Sequence, residues 1–191
     1  MVVPRGRAGK SVMSIRLRPA LSGDESAIAD IYNQGIEDRG ATFETAPRSA
    51  AHIAIKIGAA DRFPMLIADD EGRVIGWAGL SEYRPRECYA GIAEFSIYLE
   101  RAARGRGVGR MLLAALVDAA RDRGYWKLVS RIFPFNAASR AVCRSCGFRE
   151  VGVYEKHGQL DGRWLDVVIV ERLIAENLEN RKIGKTSAST P

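Results

Sequence analysis

Arg104-Gly105-Arg106-Gly107-Val108-Gly109 is the segment of this chain best suited to chemistry with an anion. Gly107 and Gly109 remove the Cβ atoms that would keep a phosphate from the backbone, and Arg104 and Arg106 add charge-assisted donors. If a helix opens directly after the loop, its unpaired N–H groups and the positive end of its dipole complete a site for a diphosphate. Spacing excludes two common alternatives in this segment. G-x-G-x-x-G needs a glycine where Arg110 stands, and a P-loop needs a Gly-Lys-Ser/Thr that this segment lacks. The pattern present is Arg-x-x-Gly-x-Gly, which a solvated loop can also carry.

Further reactive side chains flank this loop. Glu94 lies in the run Gly91–Leu99, whose alternation puts Glu94, Ser96 and Tyr98 on one face and Phe95, Ile97 and Leu99 on the other. Its carboxylate can act as a base or be paired with a neighbour such as Arg86. Arg84 and Arg86 are two guanidinium forks one strand repeat apart around Pro85; they either grip a substrate's carboxylate and a second oxyanion or are solvated surface charges. Cys143 and Cys146 form a C-x-x-C at the end of a predicted helix, where the dipole disfavours a thiolate. With only His52 and His157 as imidazoles and no finger spacing, neither a redox pair nor a metal site is expected.

The elements that must position these residues follow from periodicity. Residues 15–19 alternate as a strand, and Ser22 followed by Glu25 reads as a capping box for a helix through Ile28, Ile31, Tyr32 and Ile36. Ser49 caps a second helix through Ile53 and Ile57 that ends near Gly58. Residues 64–69 and 73–83 form a hairpin about Asp70-Glu71-Gly72, and 91–99 is the next strand. Val108, Met111, Leu112, Ala115, Leu116 and Ala119 then make the clearest amphipathic stripe in the chain, stopped by Gly124. A strand at 127–132, a helix at 136–146 closed by Gly147, and strands at 148–157 and 163–173 complete the order. This predicts one α/β (α+β) domain over 14–175, a mixed, mostly antiparallel sheet of about seven strands flanked by about four helices. Residues 1–13 are expected to be a disordered extension and 176–191 a polar tail.

Composition narrows the function class. The net charge of +6 comes entirely from Arg5, Arg7, Lys10, Arg181, Lys182 and Lys185, so the interval between them is neutral and nucleic acid is not an expected partner. No apolar run reaches the roughly 20 residues of a membrane helix, and no membrane partner is expected. Three cysteines without an even framework suit a cytoplasmic enzyme with free thiols.

Arg104-x-x-Gly107-x-Gly109, Asn136-x-x-Ser139 and the Cys146-Gly147-Phe148 corner together resemble the GNAT acetyltransferase superfamily. Ala41-Thr42-Phe43-Glu44-Thr45, Tyr83-Arg84-Pro85-Arg86, Glu94-Phe95-Ser96-Ile97-Tyr98 and Gly162-Arg163-Trp164-x-Asp166-Val167 are more narrowly similar to its phosphinothricin, methionine sulfoximine and arsinothricin N-acetyltransferases. The resemblance spans about 14–175. It implies acetyl-CoA as cosubstrate, no metal, a small amino-acid-like amine as acceptor and a homodimer. It also implies that Ser96, Ile97, Tyr98, Leu99, Arg104, Gly105, Arg106, Gly107, Val108, Gly109, Asn136 and Ser139 hold the coenzyme. Glu94 is then the base, and Thr42, Phe43, Arg84 and Arg86 bind the amine. Many such enzymes carry a Tyr, and the phosphinothricin enzymes a His, where this chain has Cys143. That thiol is therefore either the acid for the leaving thiolate or simply a packed side chain.

Overall fold

A computed structural model of the chain describes residues 15–179; the expected extension 1–13 and most of the expected tail lie outside them. The strands are β1 (Ile15–Pro19), β2 (Met65–Asp70), β3 (Arg73–Glu82), β4 (Ile92–Leu99), β5 (Lys127–Ile132), β6 (Arg149–Leu160) and β7 (Arg163–Leu173). Helices α1 (Glu25–Glu37) and α2 (Ala50–Gly58) precede β2, α3 (Val108–Asp122) links β4 to β5, and α4 (Ala137–Ser145) links β5 to β6. Residues 175–179 are helical, so the expected tail, 176–191, begins inside a helix.

The strands form one sheet in the order β1-β2-β3-β4-β5-β7-β6, antiparallel throughout except for β4 beside β5. The expected fold class is thereby confirmed. Helix α3 lays its stripe on one face, where Leu112, Leu113 and Leu116 are fully buried with Phe95, Leu128 and Phe148. Against the other face, Ile28 and Ile31 of α1 and Ile53 of α2 pack on Ile67 and Trp77. Each fully buried Leu or Ile of this kind contributes about 1.5–3 kcal/mol of burial free energy.

Local signals decide most element ends. Ser49 caps α2 by accepting the His52 N–H at 3.2 Å, and Glu71 and Gly72 both take positive φ in the β2–β3 turn. The start of α1 differs from expectation: its N-cap is Asp24, not Ser22. The Asp24 carboxylate accepts from Arg18 and from the Leu21 N–H at 2.8 Å, while Glu25 accepts the Gly23 N–H at 2.7 Å. A strong ion pair with β1 has taken over the place that a simple capping box would fill. Among the described residues no helix is long and apolar enough to cross a membrane.

Candidate active site

The site begins where two strands separate. β4 and β5 pair only from Ile92 to Glu94, opposite Lys127 to Val129, and then diverge. The Ser130 hydroxyl bridges the opening by donating to the Phe95 carbonyl at 2.9 Å, and Arg104 Nε donates to the Leu99 carbonyl at 3.3 Å. Peptide groups alternate sides along a strand, so the N–H and C=O of Ile97, between those two residues, also open toward the gap. An extended, amide-bearing chain can pair there as a substitute strand.

At the end of this opening stands the glycine loop. Gly107 is the N-cap of α3 with φ 83, and Gly105 has φ 75, left-handed values that a side chain would strain. Val108 is wholly buried, anchoring the helix start in the core, so it offers a ligand only its backbone. Arg104, Gly105, Gly107, Gly109 and Arg110 border a cavity of about 430 Å³ with Ile97, Tyr98 and Leu99. The two loop arginines are not idle donors. Arg104 Nη1 binds Asp38 Oδ2 at 2.6 Å and Arg106 pairs with Asp70 at 3.2 Å, so both brace the loop against the rest of the fold. Arg101 and then Arg104 hold the Asp38 carboxyl below the usual carboxylate range. Arg110, not among the residues expected to hold the coenzyme, borders the cavity while Arg106 does not.

A second cavity, about 310 Å³, adjoins the first along β4 and is lined by Glu94, Ser96, Thr42 and Phe43. Ala41, Ile97, Tyr98, Asn136 and Ser139 border both, so the two spaces meet over the middle of β4. Glu94 is half-buried and forms an ion pair through Oε2 with Arg131 of β5, not with Arg86. Phe43 stands edge-on to Phe133, with centroids 4.9 Å apart and planes at 88°. The Tyr98 ring is sandwiched against Tyr32 and Trp77, and burial pushes its phenol far above the usual range.

Asn136 performs its capping role, accepting the Ser139 N–H at 3.0 Å, and also donates Nδ2 to the Gly40 carbonyl at 3.0 Å. Of the two expectations for Cys143, acid or packed side chain, its surroundings fit the second. It is 1% exposed within the core, borders none of the cavities described here, and burial pushes its thiol up to about 12. Such a group would donate uphill to a coenzyme thiolate of ordinary thiol pKa near ~8.5. Its partner in the C-x-x-C, Cys146, is likewise a free, buried thiol. The two arginines of Tyr83-Arg84-Pro85-Arg86 are not brought together around one space that also holds Glu94. Both border a cavity of about 230 Å³ beside Arg62 and Glu82, but only Arg84 also borders a further cavity that holds Glu94. Arg131 and His157 border the Glu94 cavity and were missed by the sequence reading. Arg131 was legible in principle as a charge on the same face of β5 as Lys127 and Val129, alternating with the buried Leu128 and Ile132.

The sequence pattern of the acetyltransferase (GNAT) family matches residues 28–148. An L-methionine sulfoximine/L-methionine sulfone acetyltransferase of Pseudomonas paraeruginosa is 35% identical over 162 residues, covering 83% of this chain and 94% of that protein. Among solved structures, a GNAT superfamily phosphinothricin acetyltransferase from Sinorhizobium meliloti in complex with acetyl-CoA superposes with a TM-score of 0.79 at 35% identity, covering 84% of this chain and 89% of the other. A ribosomal-protein-alanine N-acetyltransferase from Brucella melitensis gives 0.80 at 36% identity, covering 83% and 99%.

Proposed function

The chain belongs to the GNAT family of acetyltransferases, and from that premise we propose that it moves an acetyl group from acetyl-CoA directly to the primary amine of a small amino-acid analogue. The observation that carries this reading is the meeting of two cavities over β4, one bounded by the glycine loop and the other by Glu94. The residues present fit the coenzyme. Left-handed glycines and the first-turn amides of α3 suit its diphosphate, and the peptide edge at Ile97 suits its amide-bearing arm. When bound, acetyl-CoA supplies the thioester carbonyl that an amine attacks.

An ammonium ion has no lone pair to attack with, so the chain must remove a proton. Glu94 is the group for this: Arg131 engages Oε2, leaving Oε1 to accept a proton from the amine directly or through a water. The Ala41–Glu44 segment lines the same space. Cys143 takes no part. Related enzymes named for phosphinothricin and methionine sulfoximine support an acceptor with an α-amino group and a strongly polar side chain. The name of the Brucella neighbour favours a second reading, acetylation of a protein's N-terminal alanine.

The enzyme is proposed to act in the cytoplasm, consistent with three free cysteines, and as a homodimer. β6 is an edge strand on which Val151, Val153 and Tyr154 are each about half exposed, and exposed edges with apolar side chains are ordinarily covered. Light scattering at micromolar concentration should give twice the chain mass.

Thiol release from acetyl-CoA, measured across phosphinothricin, methionine sulfone, spermidine and an alanine-ended peptide, tests the function. At least about tenfold higher kcat/KM on the amino-acid analogues is expected. Preference for spermidine or for the peptide would replace the acceptor class. Coenzyme binding with no turnover of any amine would indicate a sensing module.

A further inference from the structure

β6 is interrupted at one point, and the interruption presents a side chain to the amine end of the site. Its pairing with β7 jumps from Tyr154 opposite Val167 to Gly158 opposite Leu165, so three residues stand against Asp166 alone. Lys156, at the centre of the bulge, is left-handed with φ 46. Its N–H is received by Asp166 Oδ1 at 2.7 Å, which fixes the bulge in one shape. The residue that follows is His157, whose ring packs on Tyr154 at 5.3 Å between centroids. It borders the Glu94 cavity on one side and, on the other, a cavity of about 410 Å³ across β4, β5, β7 and β6. Both cavities also contain Glu94 and Arg131, so His157 sits at their junction.

The charges around this further cavity are mostly satisfied within the protein. Lys127 binds Glu171 at 2.9 Å, and Arg131 is held by Glu94. Arg84 is different: its guanidinium lies 5.2 Å from the Tyr83 ring centre, and among the described residues no carboxylate pairs with it. An entering anion would therefore meet Arg84 together with the imidazole N–H of His157, which is a donor in either tautomer and a double donor when protonated. Arg86, expected from sequence to be the second fork, lines neither cavity that holds Glu94.

We infer that His157, not Arg86, is the partner of Arg84 in binding a side-chain oxyanion of the substrate, a phosphinate or carboxylate carried on an α-amino acid whose amine lies at Glu94. This assignment rests on the transferase reading above and gives it a specificity determinant.

The test uses the full chain, with acetyl-CoA, and two acceptors of similar length: phosphinothricin, whose side chain is anionic, and methionine sulfone, whose side chain is neutral. His157→Ala is expected to raise KM for phosphinothricin about tenfold or more while changing KM for methionine sulfone and acetyl-CoA by less than about twofold. His157→Gln, which retains a donor, should recover part of the loss. Equal loss on both acceptors, no loss on phosphinothricin, or loss of the selectivity in Arg86→Ala but not in His157→Ala would overturn the assignment. Failure of the unaltered chain to acetylate either amine would instead overturn the transferase reading, and this assignment with it.

Discussion

Asn136 donates its side-chain amide to the Gly40 carbonyl across 3.0 Å while its oxygen caps α4, so one residue joins the start of that helix to the loop after α1. That loop carries Thr42 and Phe43 to the wall of the Glu94 cavity. Asn136→Asp keeps an acceptor for the Ser139 N–H but replaces the donor by a carboxylate facing a carbonyl. KM for the amine should rise several-fold with little change in Tm, because the cap survives. Asn136→Ala should lose both and cost about 1 kcal/mol of stability as well. Equal KM values in the wild type and Asn136→Asp would show that the loop holds its position without the tether.

Glu94→Gln should lower kcat by about a hundredfold or more, the range expected for losing a general base. Coenzyme affinity measured by calorimetry should stay within about twofold, since Glu94 does not border the glycine-loop cavity. Stability should change by less than about 1 kcal/mol, because its partner Arg131 is 45% exposed and can be solvated. An unaltered rate would remove Glu94 from the mechanism.

Cys143→Ala should leave kcat within about threefold and the alkaline limb of its pH profile in place. Tm should fall by a few degrees, for about 1 kcal/mol of lost packing in the core. A thiol reagent at pH 8 should modify Cys88, which is exposed, well before the two buried thiols. A hundredfold loss of kcat in Cys143→Ala would restore the thiol to the chemistry.

These outcomes bear on what the sequence could reveal. The glycine loop and the stripe of α3 were legible because each is a local pattern whose geometry depends on neighbours within a few residues. Asp24 displaced Ser22 as the cap of α1 because Arg18, itself paired with Asp69, engages it from the sheet, a contact that no capping rule contains. The Arg131 partner of Glu94 and the bulge that presents His157 depend on which strands become neighbours and in what register. The order β5-β7-β6 is not written in any single segment. Arg84 and Arg86 were read as one clamp from their spacing, and they do border one cavity, but the chain turns at Pro85 and a single 3₁₀ turn follows at Glu87–Tyr89, so only Arg84 also reaches the cavity that holds Glu94.

The cluster of Arg18 with Asp24 and Asp69 predicts an acid limit to stability. Arg18 holds the Asp24 carboxyl below its ordinary value, and the Gly72 N–H and then Arg18 do the same for Asp69. A carboxylate depressed in the folded state contributes stability that is fully present above its unfolded pKa of about 3.9 and is lost as pH falls through the folded value. Tm should therefore be flat from pH 7 to about 5 and fall below about 4. Arg18→Met should reduce stability by about 2 kcal/mol, less than for a fully buried pair because 23% of the Arg18 side chain remains exposed. It should also flatten the acid limb; an unchanged slope in the variant would assign acid unfolding to other carboxylates.

Gly158 determines where Phe43 can lie. A Cβ at position 158 would come within 2.9 Å of Phe43 Cε1 and 3.1 Å of its Cζ, closer than carbon atoms pack. The ring cannot retreat toward Phe133, which already meets it edge-on, so Gly158→Ala should displace it into the Glu94 cavity. KM for the amine should then rise about tenfold or more, with KM for acetyl-CoA unchanged, because Phe43 does not border the glycine-loop cavity. Phe43→Leu in the Gly158→Ala background should restore much of the affinity, since a smaller, more flexible side chain can share the space. A double variant no better than Gly158→Ala alone would mean that the added methyl acts by straining β6, not through Phe43.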